Sequence, residues 1–167
     1  MITKRYLLLL GLFGWSYAAV AATTVKLSTV AQLAPAGHSI GTITLTDTEY
    51  GLLIEPDVTG LTPGIHGFHI HETPSCDNYG LAAAGDYDPD NTEKHLGPYN
   101  NAGHLGDLPA LTADSDGKAS LAIMAPRLTV EKISKRAMII HLGGDNYSDT
   151  PEKMGGGGDR VACGVIP

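Results

Sequence analysis

The sequence predicts an all-β fold, an antiparallel sandwich or barrel that carries two long loops. The prediction depends on short runs of alternating polar and apolar residues and on the clusters of Gly, Pro and Asp between them. The clearest run is residues 42–46, Thr-Ile-Thr-Leu-Thr, whose period of two and β-branched side chains are typical of a strand. Residues 118–123 alternate in the same way after a turn at residues 115–117.

The other elements follow from the same pattern. Further strand candidates are residues 52–54, 65–71, 137–142 and 161–166, and only residues 129–135 resemble a helical turn. Two segments, residues 73–109 and 143–160, are too long for hairpin connections and are rich in Gly and Asp. Loops of this length in a compact domain are usually functional or disordered. Each follows a strand that bears a histidine, which favours a functional role.

The first 21 residues have the pattern of a cleaved secretory signal peptide. Lys4 and Arg5 precede an apolar run over residues 6–20, and small residues follow at a cleavage position. The alternative, a membrane anchor, requires roughly 20 apolar residues, and this run is shorter. We therefore expect residues 22–167 to form one exported domain without a membrane segment. The net charge of −7 argues against a nucleic-acid partner, because phosphate binding requires a basic surface.

The chain has two cysteines, Cys76 and Cys163. In an exported protein this number favours one disulfide bond. The alternative is a pair of unrelated free thiols.

Three histidines suggest a metal site on the predicted strands. His69 and His71 are two residues apart, so both imidazoles point to the same face of their strand. His141 ends another predicted strand and could supply a third nitrogen. An all-imidazole site suits copper among the metals that proteins use.

A second set of potential ligands lies in the first long loop: Asp86, His95, His104 and Asp107. Two imidazoles and two carboxylates can form a closed tetrahedral zinc site with no position left for a substrate. The alternative is that the carboxylates are ordinary solvated turn residues.

Several motifs, in order along the chain, resemble those of copper–zinc superoxide dismutases. Residues 67–72, Gly-Phe-His-Ile-His-Glu, resemble the family's copper-binding strand, and residues 94–98 and 103–109 resemble its zinc loop. Residues 140–149 resemble the bacterial periplasmic branch, and residues 158–166 are similar to the family's C-terminal signature. The resemblance covers nearly all of the expected mature chain.

The resemblance implies a Greek-key β-barrel in the periplasm, monomeric or homodimeric, that converts two superoxide anions and two protons into O2 and H2O2. It assigns the ligands as follows: copper to His69, His71 and His141, and zinc to His95, His104 and Asp107. It further implies that Asp145 hydrogen-bonds one histidine of each metal and that Arg160 holds the anionic substrate. Cys76 and Cys163 correspond to the family's disulfide, which ties the long loop to the barrel.

The sequence departs from the family at one position. The family has a histidine that bridges both metals within Gly-His-x-Asp-Pro, whereas residues 85–89 here read Gly-Asp-Tyr-Asp-Pro. We expect Asp86 to bind zinc alone, which leaves copper with three nitrogens and removes a proton carrier, so that activity is weakened. The alternatives are an Asp86 that turns to solvent and, for the whole protein, a periplasmic copper- and zinc-binding protein without efficient dismutation.

Overall fold

The structure is a computed structural model that describes residues 21–30 and 36–167. The predicted signal peptide therefore lies outside the described residues, apart from its last residue. Within the described part of the chain, no helix has the length and apolar character needed to cross a membrane.

The described residues form nine strands, one short α-helix and two 3-10 helices, Leu81–Ala83 and Met154–Gly156. The strands are β1 (Ala22–Thr29), β2 (Ser39–Thr48), β3 (Gly51–Val58), β4 (Gly64–His66), β5 (Phe68–His71), β6 (Leu111–Ala113), β7 (Ile123–Ala125), β8 (Ala137–His141) and β9 (Arg160–Val165). The helix α1 (Val130–Ile133) begins after Thr129, whose side chain accepts a hydrogen bond from the Lys132 N–H. This helix lies within the predicted helical turn.

Seven strands form one antiparallel sheet in the order β5-β8-β9-β1-β2-β3-β7, and β4 pairs with β6 in a second sheet. The large sheet curls into a half-barrel, and the predicted all-β antiparallel fold is confirmed. Its inner face carries the alternating apolar residues of β1, β2 and β3: Val25, Leu27, Ile43, Leu45, Leu52 and Ile54. Their burial is the main driving force for the fold.

Strands β5 and β8 are buried on both faces, which positions the functional residues. Phe68 and Ile70 of β5 point into the main core, while His69 and His71 alternate with them on the opposite face. An ordinary barrel would expose that outer face to solvent. Here the loop over residues 73–109 covers it, and a disulfide between Cys76 and Cys163 ties the loop to β9. The predicted disulfide is confirmed.

Two strand predictions need correction. Residues 118–123 do not form one strand, because β7 begins only at Ile123 and Ala119 makes an isolated bridge to Val58. The Asp114 carboxylate accepts the Lys118 N–H at 2.9 Å, so the preceding turn extends to the start of the predicted strand.

Residues 65–71 contain two short strands rather than one. The chain breaks at Gly67, so that β4 pairs in the small sheet and β5 in the large one. Strand β1 was not predicted, although the alternation of Val25 and Leu27 with polar residues is a signal that could have revealed it.

Candidate metal centre

The three histidines of the predicted strands meet on the outer face of β5 and β8. We call His69, His71 and His141 the strand cluster. One nitrogen of each lies within 4.8 Å of the others, and all three residues are buried. Strand β8 brings His141 beside β5 because the two strands pair in register from Phe68 to His71.

Each imidazole of the strand cluster is oriented through its other nitrogen. His71 Nδ1 lies 2.9 Å from the Ala84 carbonyl oxygen, His141 Nδ1 lies 3.0 Å from that of Gly158, and His69 Nε2 lies 2.8 Å from Asp145 Oδ2. The remaining nitrogens are buried and have no hydrogen-bond partner among the described residues. Leaving a buried polar atom unpaired costs roughly 1–3 kcal/mol. Three such nitrogens that converge on one point fit a metal ion.

The charge state of two of these side chains also suits a metal. Burial lowers the pKa of His71 to about 3, although the Asp86 carboxylate opposes this shift. Burial and the neighbouring His69 lower the pKa of His141 to about 4. Both imidazoles are therefore neutral at neutral pH, which is the form that ligates metals.

Beside the strand cluster lies the loop cluster: Asp86, His95, His104 and Asp107. Asp107 Oδ1 lies 3.1 Å from His95 Nδ1 and 3.5 Å from His104 Nδ1, and Asp86 Oδ2 lies 3.5 Å and 3.4 Å from the same nitrogens. Ligands about 2.0–2.1 Å from a tetrahedral zinc ion lie about 3.3–3.4 Å from one another. The separations match that edge length, and all four atoms are buried without hydrogen-bond partners in the described structure. These residues fit zinc.

The loop backbone holds one oxygen of Asp107 and thereby aims the other. Asp107 Oδ2 accepts the Gly97 N–H at 2.8 Å and the Leu96 N–H at 3.2 Å, which leaves Oδ1 to face His95 and His104. Gly106, the preceding residue, passes so close to the Ile70 carbonyl oxygen that a Cβ there would collide with it. Only glycine allows the loop to approach β5 at this point.

The carboxylates of the loop cluster also act on its imidazoles electrostatically. Burial alone would lower the pKa of His95, but the charges of Asp107 and Asp86 and the hydrogen bond with Asp145 outweigh it and raise that pKa to about 12. Contacts with Asp107 and Asp86 similarly raise the pKa of His104 to about 10. Burial alone would raise the pKa of Asp86 and Asp107, but the surrounding histidines hold both below the usual range. The two carboxylates are therefore charged and available as anionic ligands.

Asp145 connects the two clusters without belonging to either. Its Oδ2 accepts from His69 Nε2 at 2.8 Å, and its Oδ1 lies 2.9 Å from His95 Nε2. These distances are typical of charge-assisted hydrogen bonds. Asp145 therefore fixes the orientation of one imidazole in each cluster, as a partner of metal-ligating histidines does.

Asp86 lies between the clusters. Besides the contacts of Oδ2, its Oδ1 lies 3.3 Å from His71 Nε2 and 3.6 Å from His69 Nδ1. Asp86 is only 5% exposed, so it does not turn to solvent. Sequence reasoning placed Asp86 with the zinc ligands and missed its contact with the strand cluster.

An open cleft of about 410 Å³ leads to the strand cluster, and His71, Asp86, His141, Lys153 and Arg160 line it. Strand β9 has one extra residue opposite the step from Ile140 to His141, which places Arg160 directly across from His141. The Arg160 guanidinium donates to the carbonyl oxygens of Gly80 and Ala84. It is thereby held at the mouth of the cleft.

One residue that sequence reasoning missed holds the loop cluster from outside. Arg127 donates hydrogen bonds to the carbonyl oxygens of Pro98 at 2.8 Å and His104 at 2.6 Å, with longer contacts to those of Gly97 and Gly103 at 3.3 Å. Its sequence context, Pro-Arg-Leu between β7 and α1, gives no signal of this role. Only the tertiary structure brings it against the loop.

Comparisons with known proteins agree with this geometry. Residues 39–166 match the family model described as copper/zinc superoxide dismutase. The Cu-Zn superoxide dismutase of Legionella pneumophila is 54% identical over 132 residues, which cover 79% of this chain and 80% of the relative.

Two solved structures show the same fold. The Cu/Zn superoxide dismutase of Brucella abortus superimposes with a TM-score of 0.81 at 47% identity, covering 88% of this chain and all of that one. The monomeric copper, zinc superoxide dismutase of Salmonella enterica has a TM-score of 0.74 at 46% identity, with the same coverage.

Proposed function

The chain belongs to the copper/zinc superoxide dismutase family, and we propose that it converts two superoxide anions and two protons into O2 and H2O2. Copper binds to the strand cluster and zinc to the loop cluster. The observation that carries this assignment is the set of buried donor atoms that lack hydrogen-bond partners in the described structure. They form one all-imidazole group and one group with two carboxylates. The first donor set suits copper and the second suits zinc.

When bound, copper supplies a one-electron couple that oxidises one superoxide and reduces the next, while zinc fixes the loop. Arg160 attracts the anionic substrate into the cleft and holds it beside His71 and His141. Asp145 keeps His69 and His95 in fixed orientations. The pKa of Asp86 is below its usual range, so this residue carries no proton at neutral pH and does not serve as a proton donor.

The alternative function, metal binding without efficient dismutation, is favoured by the absence of a histidine at position 86. Arg160 argues against it, because a metal carrier does not require a guanidinium aimed at the open side of its copper site. Export to the periplasm through a signal peptide at residues 1–21, and a monomeric or homodimeric assembly, stay predictions.

Superoxide turnover of the purified, metal-loaded protein tests the proposal. The protein should dismutate superoxide in proportion to its copper content, and His141→Ala should abolish the activity because the strand cluster loses a nitrogen. His38→Ala is the matched control, since His38 is exposed and outside both clusters. Copper-loaded protein without turnover would instead support the metal-binding function.

A further inference from the structure

We propose that Asp86 bridges the two metals through its carboxylate, with Oδ1 on the copper of the strand cluster and Oδ2 on the zinc of the loop cluster. This inference rests on the proposed function, because it requires both clusters to hold metals. It revises the expectation from sequence that Asp86 binds zinc alone.

The distances from Asp86 distinguish a ligand from a hydrogen-bond acceptor. Asp145 lies 2.8 and 2.9 Å from its two histidine nitrogens, as hydrogen-bonded pairs do. Asp86 lies 3.3–3.6 Å from four histidine nitrogens, two in each cluster. That is close to the separation of about 3.3–3.4 Å between two ligands of one tetrahedral ion. Each Asp86 oxygen is therefore spaced as a fellow ligand of the histidines that it faces.

The partners of the nitrogens lead to the same conclusion. The four nitrogens that face Asp86 belong to His69, His71, His95 and His104, and none of them has a hydrogen-bond partner in the described structure. The other ring nitrogen of His69, His71 and His95 has a hydrogen-bond partner. That partner is Asp145 for His69 and His95, and the Ala84 carbonyl oxygen for His71. A metal ion on each side of the Asp86 carboxylate would provide a binding partner for these four nitrogens and for both carboxylate oxygens.

Backbone pairing with β5 holds the main chain of Asp86 at the boundary between the two clusters. Residues 85–87 run antiparallel to β5, with Tyr87 N–H donating to the Ile70 carbonyl at 2.8 Å and Glu72 N–H to that of Gly85 at 3.1 Å. The Arg136 guanidinium stacks 3.5 Å above the Tyr87 ring and donates to the Glu72 carbonyl. Asp86 is thus fixed opposite His71, with its carboxylate between the clusters.

Asp107 provides a matched comparison within the same site. It also lies beside β5, in an isolated bridge with His69, and its Oδ1 also faces His95 and His104. Its second oxygen, however, accepts two backbone N–H groups and does not face the strand cluster. Asp107 is therefore spaced as a zinc ligand that cannot bridge, in contrast to Asp86.

The test is the electron paramagnetic resonance spectrum of Cu(II) at one copper per chain, with either zinc or Co(II) in the loop cluster. We expect spin coupling between Cu(II) and Co(II) in the unchanged protein. Asp86→Asn should abolish that coupling and shift the Cu(II) spectrum of the zinc-loaded form. Asp57→Asn, at an exposed carboxylate that pairs with Lys118 outside both clusters, is the control and should retain both the coupling and the spectrum. Asp86→Ala, which has no oxygen to offer, should match Asp86→Asn.

Metal content measured on every sample separates the possible failures. A Cu(II) spectrum and a coupling that are the same in Asp86→Asn, Asp86→Ala and the unchanged protein would overturn the bridge. If that protein still dismutates superoxide, the proposed function stands without the bridge. A protein that takes up no copper would overturn both proposals.

Discussion

In the proposed two-metal site, the residue at position 86 would determine which group separates the metals and whether that group can carry a proton. A carboxylate with a pKa below its usual range stays charged at neutral pH. An imidazole has one nitrogen for each metal and an unperturbed pKa of about 6.5, so it can take up and release a proton near neutrality.

Asp86→His should therefore raise superoxide turnover per copper by about a hundredfold, at the lower end of the roughly 10²–10⁴ that a positioned proton carrier contributes. The measurement is turnover at matched copper and zinc content, together with the visible spectrum of Cu(II), which should shift as the new nitrogen binds. If Asp86→His holds both metals and is no faster, the missing proton carrier does not limit the reaction.

Most candidate residues of the site could be named from the sequence, because each lies in a short motif or in a spacing that is visible over a few residues. His69 and His71 alternate on one strand, and the family motifs identify His95, His104, Asp107 and Asp145. The sequence could not show that Asp86 faces the strand cluster, because that contact depends on a backbone pairing between residues 85–87 and β5. Arg127 was missed for the same reason, since its partners are carbonyl oxygens far away in the sequence.

The loop over residues 73–109 has little regular structure, so specific contacts must hold its ligands in place. The Cys76–Cys163 disulfide fixes the start of the loop, and Arg127 fixes the segment that carries His104. Hydrogen bonds from a charged group contribute roughly 1.5–3 kcal/mol each. We therefore expect Arg127 to act as a positioning residue for the loop cluster.

Arg127→Ala should weaken zinc binding roughly tenfold to a hundredfold, since about 1.4 kcal/mol corresponds to a factor of ten. Competition with a chelator of known affinity measures the change. Lys118→Ala is the control, because its side chain forms an exposed ion pair with Asp57 and not with a residue of the loop cluster. Equal zinc affinity in the Arg127→Ala and Lys118→Ala variants would contradict the positioning role.

The strands were predictable where one face meets the core and the other meets solvent or another layer. Strands β2, β3, β8 and β9 lie where alternation or apolar runs indicated them. The prediction was wrong over residues 118–122, because a side chain of the preceding turn takes a backbone N–H there. Alternation of polar and apolar residues shows that a segment is compatible with a strand. Whether the segment forms one depends on a neighbouring strand with which its backbone can form hydrogen bonds.

For the whole molecule, metal binding and folding stability should be coupled. The outer face of β5 and β8 is closed by a loop that buries the potential ligand atoms of both clusters. Ions that bind only the folded state stabilise it by mass action, by about 2.7 kcal/mol at a hundredfold excess over the dissociation constant. The sequence could predict one domain, whereas the expected coupling between metal binding and stability rests on the burial of these ligand atoms.

The most direct test is the metal content of the protein after loading with both metals and exhaustive dialysis, measured together with its melting temperature. Two adjoining sites predict one copper and one zinc per chain, and a melting temperature clearly above that of the metal-free protein. Less than one equivalent of either metal, or a melting temperature that the metals leave unchanged, would contradict the assignment of the two clusters.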